Sequence, residues 1–320
     1  MNPMAGAIGA RLVMLADITP DPRFHCSFPH DIPALEASVA RSGIINPVWL
    51  IPSEEGFKLV GGFRRYRAAA KAGLEKIPAL ILEGADEYTL LLLQGEENNH
   101  TRGLNLVEKA ILMRSAHASF RRTHEEVIDT LFPVMGLERS MVVHDTISRV
   151  AEYGPQTQAL IASSGMGAKQ AALLAQFVAE ERELAAGWLT NQRMGLNRCA
   201  RILEALLDIR VNQGLGAAEV IDEMEKATPQ DWDATRRADH IFHTLIKKGK
   251  PVLAGMERDF GDALAALLLP AQVRIRPPKN FEGRHLEVTI LADRVDSLVA
   301  AIAALWKVDR ERLEKLFKWI

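Results

Sequence analysis

The sequence predicts an α+β protein: a small mixed α/β module at the N-terminus, a large all-helical middle with a helix-turn-helix, and a small β-β-α unit at the C-terminus. Three observations carry this reading. Up to about residue 85, short apolar runs alternate with helical periodicity; beyond Asp86 the strand signal vanishes; after Val273 the period of two returns. At 320 residues the chain exceeds one domain, and the changes of pattern place divisions at 1–104, 105–185, 186–270 and 271–320.

In the first segment, strands are expected over 11–15, 47–51, 57–60 and 77–82, with helices over 32–42 and 63–71. Gly43 and Gly73 each follow a helical stretch, where a left-handed residue ends a helix. In the middle, Asn105 and Glu108 stand at capping-box spacing, which starts a helix by satisfying exposed amides reciprocally. Further helices are expected over 125–131, 140–152, 155–163, 168–185, 196–213, 217–226 and 232–247; Gly249–Lys250–Pro251 interrupts the series before a last one over 256–269. At the end, VRIR (273–276) and the alternation Leu286, Val288, Ile290 form a hairpin around a turn-rich PPKNFEG. An apolar stripe of Val295, Leu298, Val299, Ile302 and Leu305 then continues through Leu313, Leu316 and Phe317. Two strands and one amphipathic helix bury too little surface to stand alone, so a homodimer is expected, the alternative being packing on the preceding helices of the same chain.

Composition bounds the function. Hydrophobic residues at 48% and charged residues at 25% suit a folded chain. A net charge of −2 excludes coating of nucleic acid by electrostatics alone, so any DNA contact has to be local. Cys26 and Cys199 are the only two cysteines and stand in no CxxC or Cys/His cluster, which argues against disulfides and zinc and suits a reducing compartment. No apolar run reaches membrane-spanning length and the N-terminus has no signal-peptide pattern, so the expected place is the cytoplasm, with no membrane contact. The scattered histidines, His117 and His240 among them, read as packed or capping residues, because none has a partner at ligand spacing.

The most informative segment is FKLVGGFRRYRAAAKAG. A strand ends at Val60, Gly61 and Gly62 turn the chain, and a helix bearing Arg64, Arg65 and Arg67 begins. Backbone amides at a helix start, close approach past glycine, and bidentate guanidinium donors together favour a phosphate; the plainer alternative is a tight turn beside a solvated basic face. Downstream, in EENNHTRGLNLVEKA, Glu97 and Asn98 offer the oxygen ligands that suit Mg²⁺, although an acidic, amide-rich loop is also commonplace.

In order and spacing, GGFRRYRAA resembles the GERRxRA box of ParB/RepB-type partition proteins, and EENNHTRGLNLVEKA resembles their ENxQRxxLNPxEEA box. The resemblance covers about the first 120 residues, including the upstream DITPDPRF. It implies a module that binds CTP with Mg²⁺: Gly61, Gly62, Arg64, Arg65, Arg67 and Asn98 would face the nucleotide, and Glu97 with Asn98 the metal. It also implies nucleoid or plasmid association, a ParA-type ATPase as a partner, and at most slow CTP hydrolysis. Phe63 replaces the acidic residue of the first box; Asn99, His100, Thr101 and Leu106 depart from the second, and Arg102 comes one place late. Sulfiredoxin has a similar module, but its chemistry needs a cysteine in the phosphate loop, and this loop has none.

Between Thr123 and Tyr153, a helix, a turn at Gly136 and a helix from Ser140 resemble a helix-turn-helix, whose second helix lies in the major groove of DNA. Arg139, Ser140, His144, Thr146, Ser148 and Arg149 are the candidate DNA contacts. The charge there is thin: Arg121, Arg122, Arg139, Arg149 and Lys169 are outnumbered by Glu125, Glu126, Asp129, Glu138, Asp145 and Glu152. The reading is therefore a CTP-switched DNA-binding protein of plasmid or chromosome partition. The alternatives are a metal-dependent nuclease, for which only Glu97 has a plausible setting, and a helical adaptor without DNA affinity.

Overall fold

The computed structural model describes residues 8–28 and 32–318. Its contacts divide the chain into two units, 1–203 and 204–320. The architecture is the mixed one expected: a five-stranded sheet with helices, a long helical middle, and a two-stranded sheet near the C-terminus.

The first sheet runs in the order β1 (Ile8–Met14), β5 (Lys76–Ile81), β3 (Val48–Ser53), β4 (Gly56–Gly61), β2 (Ile18–Pro20). β1 lies antiparallel to β5, β3 and β4 form a hairpin, and the β3–β5 and β2–β4 pairs are parallel. The strands carry the core directly, since Val48, Leu50, Leu59, Val60, Ile77 and Ala79 have no exposed surface. The short β2, absent from the sequence reading, offers only three residues, of which Ile18 alone is buried. Helices α1 (Pro33–Ser42) and α2 (Phe63–Lys71) pack on each other, and α2 also packs on β3. Gly43 (φ +71°) and Gly73 (φ +70°) take the left-handed conformation that ends each helix, as expected.

The helical middle holds one helix that the sequence reading had as a loop. α3 (Glu87–Arg102) starts on the Asp86 carboxylate, which accepts the Thr89 amide at 2.8 Å, and it contains both Glu97 and Asn98. Its polar end disguised it: Glu96 to Arg102 lacks apolar periodicity, so only the local cap marked it. The capping box of Asn105 and Glu108 does form, opening α4 (Leu106–Ala118). A second box at Thr123 and Glu126 opens α5 (His124–Val134), and Ser140 caps α6 (Met141–Val150). The helix expected over 168–185 is two, α8 (Ala168–Leu174) and α9 (Ala179–Asn191), with Phe177 buried in the break between them. α7 (Pro155–Ser164) precedes them.

After α10 (Leu196–Gln213) and α11 (Ala217–Ala227), α12 (Ala234–Gly249) gives way to α13 (Pro251–Ala265) at Lys250. Proline at the first turn costs no intrahelical hydrogen bond, so Pro251 starts a helix here as well as ending the earlier series. β6 (Val273–Arg276) and β7 (Glu287–Ile290) form the expected antiparallel hairpin. The stripe that follows is two helices, α14 (Val295–Trp306) and α15 (Arg310–Phe317), divided at Asp309, whose carboxylate caps α15. Phe260, Val273, Ile275, Phe281, Ala301 and Leu316 share one core. The hairpin therefore does pack on a preceding helix, yet Val295, Val299, Trp306 and Phe317 remain more than half exposed.

Candidate functional site

The expected phosphate site is a real cleft. Gly62 caps α2 with φ +87° and no side chain of its own, leaving the first amides of the helix without a side-chain acceptor. Both glycines are sterically required: a Cβ on Gly61 would meet the Trp49 ring at 2.8 Å, and one on Gly62 would meet Val48 at 3.0 Å. The cleft measures about 320 Å³ and is lined by Gly62, Phe63, Arg64 and Arg65 from the α2 start and by Gln94, Glu97, Asn98, Thr101 and Arg102 from α3, with Ser27, Leu35 and Asn46 closing it. The two boxes, some thirty residues apart in sequence, thus face one another. Arg67, one turn further along α2, is not part of this lining.

The arginines play different parts. Arg65 is an internal brace: its guanidinium donates to the Asn46 and Pro47 carbonyls at 2.9 Å each and to Glu97 Oε1 at 3.3 Å. Burial pulls its pKa down, and the Glu97 charge opposes that. Arg102 makes a two-pronged ion pair with Glu108, at 2.8 Å for each prong, and that carboxylate is only 1% exposed. Burial acts against the Arg102 cation, but the Glu108 bonds and charge outweigh it and hold its pKa above the ordinary value. Arg64 differs from both. Its Nε is buried without a hydrogen-bond partner, and burial, then repulsion from Arg102, lowers its pKa. A cation so placed is destabilised until an anion arrives.

The two expected metal ligands are already engaged. Glu97 accepts from Arg65, while Asn98 donates to the Gln94 carbonyl at 2.9 Å and accepts from Arg102 Nε at 3.2 Å. Among the described residues Glu97 is the one carboxylate in the lining, which fits Mg²⁺, a cation that takes one or two protein oxygens and draws the rest from phosphates and water. Cys26 is buried behind the lining beside Gln94, 2% exposed, with its thiol pushed up to about 12 by burial and by the Glu108 charge.

At the helix-turn-helix, Gly136 (φ +65°) turns the chain after α5, and α6 shows solvent Met141, Val142, Asp145 and Arg149, with Thr146 and Ser148 half-buried. Arg139 is exposed and stands 3.8 Å from Asp129. The structure corrects one assignment here. His144 is 2% exposed and turned into the protein, because the 3.6-residue period puts it on the same buried face as Ile147. It cannot reach a base edge.

Residues 11–98 match the family model described as the ParB N-terminal domain. A probable chromosome-partitioning protein ParB from Coxiella burnetii is 29% identical over 202 residues, covering 58% of this chain and 69% of that one. A probable plasmid-partitioning protein ParB from Xylella fastidiosa is 43% identical over 76 residues, covering 24% of this chain and 19% of that one. The chain spans less than half the length of this second relative and of the Caulobacter vibrioides ParB. Among solved structures, the C-terminally truncated ParB of Caulobacter crescentus complexed with CTP-γ-S is 24% identical, covering 58% of this chain and 99% of that one, with a TM-score of 0.28.

Proposed function

We propose that this chain, whose residues 11–98 match the ParB N-terminal domain family, is a DNA-binding partition protein switched by CTP held between α2 and α3. The observation that carries the reading is Arg64: a buried guanidinium nitrogen without a partner, beside the open amides of a glycine-capped helix, in a cleft of about 320 Å³. An anion there would gain charge-assisted bonds and relieve the repulsion between Arg64 and Arg102. Gly62, Arg64 and the first amides of α2 would hold phosphate, while Asn98 would exchange its contact with Arg102 for the nucleotide. Mg²⁺ would draw Glu97 away from Arg65, so that ligand binding is felt at the Asn46–Pro47 segment that Arg65 braces. Any CTP hydrolysis would be slow.

The finer assignments extend the same reading. The divisions at 104, 185 and 270 separate a nucleotide module, a DNA-binding region, a helical region and an association unit. α6 would contact DNA through Arg139, Ser140, Thr146, Ser148 and Arg149. A ParA-type ATPase is the expected partner, with nucleoid or plasmid association following from DNA binding. The exposed apolar residues of α14 and α15 would be covered by a second copy. No helix among the described residues is long and apolar enough to cross a membrane.

Isothermal titration of CTP, GTP and ATP with Mg²⁺ tests the central claim. CTP should bind and the purine nucleotides should not; equal affinity for all three, or none for CTP, overturns it. Sedimentation of the full chain at micromolar concentration should show a dimer, and a monomer removes the association role from α14 and α15.

A further inference from the structure

Three histidines that lie 7 and 20 residues apart in sequence meet in space. His117 is in the last turn of α4, His124 opens α5, and His144 sits on the inner face of α6; one ring nitrogen from each lies within 4.8 Å of the other two. The rings form a closed triangle, with centroids 5.0 Å apart for His117–His124, 4.4 Å for His124–His144 and 5.2 Å for His117–His144.

The hydrogen bonds decide which nitrogens face inward. His117 Nδ1 is 2.7 Å from the Arg122 carbonyl, which can only accept, so Nδ1 carries the proton and Nε2 the lone pair. His144 Nδ1 is 3.2 Å from the Asp145 carboxylate, which requires the same tautomer. The two Nε2 atoms then confront each other at 2.9 Å. Two lone pairs at that distance repel unless an electrophile lies between them. A shared proton would serve two rings, but it would gain nothing from a third imidazole brought into the same space. A metal ion gains a third ligand.

The surroundings also match those of a metal site. Histidine ligands are ordinarily held by a second hydrogen bond from the far ring nitrogen to a carbonyl or a carboxylate, and both of these partners are present. In a tetrahedral zinc site with Zn–N bonds of about 2.0–2.1 Å, ligand nitrogens stand about 3.3 Å apart. His117 and His144 would open slightly, and His124, exposed at the start of its helix, would swing in.

We propose that His117, His124 and His144 form a binding site for a borderline-soft divalent cation of the Zn²⁺ class, with a water in the fourth position. Neutral imidazoles suit such an ion and not Mg²⁺, which prefers oxygen. The site clips α4, α5 and α6 together, and it spans both helices of the helix-turn-helix. Its existence does not depend on DNA binding; its consequence, a fixed angle for α6, rests on that reading.

The untagged full-length protein, stripped with chelator and desalted, is titrated with Co²⁺, followed by displacement with Zn²⁺. One Co²⁺ per chain should bind with the visible absorption of a tetrahedral nitrogen site, and Zn²⁺ should abolish that absorption and raise the melting temperature. His124→Gln, at an exposed position, should keep the circular dichroism of the native protein while weakening Co²⁺ binding at least tenfold. Asp145→Asn should weaken it as well, by about tenfold, the lower end of the roughly 10- to 100-fold that outer partners of metal ligands command. The site is refuted by the absence of stoichiometric Co²⁺ in the wild type, or by equal affinity in wild type and in both His124→Gln and His117→Gln. The wild-type stoichiometry stands even if a variant fails to fold.

Discussion

The cleft between α2 and α3 and the helix-turn-helix segment use charge in opposite ways. In the cleft, charged groups are half-buried and bonded to each other, Arg65 to Glu97 and Arg102 to Glu108, and the arrangement leaves one guanidinium nitrogen, on Arg64, without a partner. On α6 the charged groups are exposed and few, and the solvent face includes Val142 at 75% exposure and Met141 at 45%. Charges held in low dielectric interact strongly and specifically, whereas solvated ones are screened within about 10 Å at moderate salt. On the proposed reading, the cleft would discriminate between ligands, and α6 would make weak contact that needs support from elsewhere, such as a second copy of the chain.

Breaking this contrast gives effects of graded size. The largest is expected at Arg102→Ala, which leaves the nearly fully buried Glu108 carboxylate without its cation; a loss of about 3 kcal/mol of stability should appear in urea unfolding. A variant as stable as the wild type would mean that the Phe28 and Asn105 amides, which also donate to Glu108, suffice for it. Next comes Arg64→Ala, which removes no internal hydrogen bond. It should leave unfolding nearly unchanged and weaken CTP by about 1.5–3 kcal/mol, on the order of 10- to 100-fold. Arg65→Ala sharpens the comparison between the two neighbours, because it should lower both stability and affinity by releasing the Asn46 and Pro47 carbonyls.

Glu97→Gln should have a smaller effect, a reduced Mg²⁺ dependence of nucleotide binding with a similar affinity in chelator; superimposable Mg²⁺ titrations would remove Glu97 from the metal. The smallest effect is expected on α6. Arg149→Ala should weaken DNA uniformly across sequences and lower the salt slope by about 1. If it instead alters sequence preference, α6 reads bases despite its sparse charge.

Much of this was legible in the sequence wherever the signal was local. The capping box at Asn105, the glycines ending α1 and α2, and the Gly61–Gly62 turn before three arginines are short-range patterns whose physics is complete within a few residues. The pairing of the two boxes across the cleft was legible through the family resemblance, and α3 was lost because its polar half has no periodicity. Tertiary packing alone decided which of Arg64 and Arg65 is spent on the protein itself, whether His144 faces DNA or the core, and that His117 and His124 meet it. A helix fixes the angle between its own side chains, but the direction in which the whole set points is set by what packs against it. Residues 7 and 20 positions apart carry no local sign of that meeting.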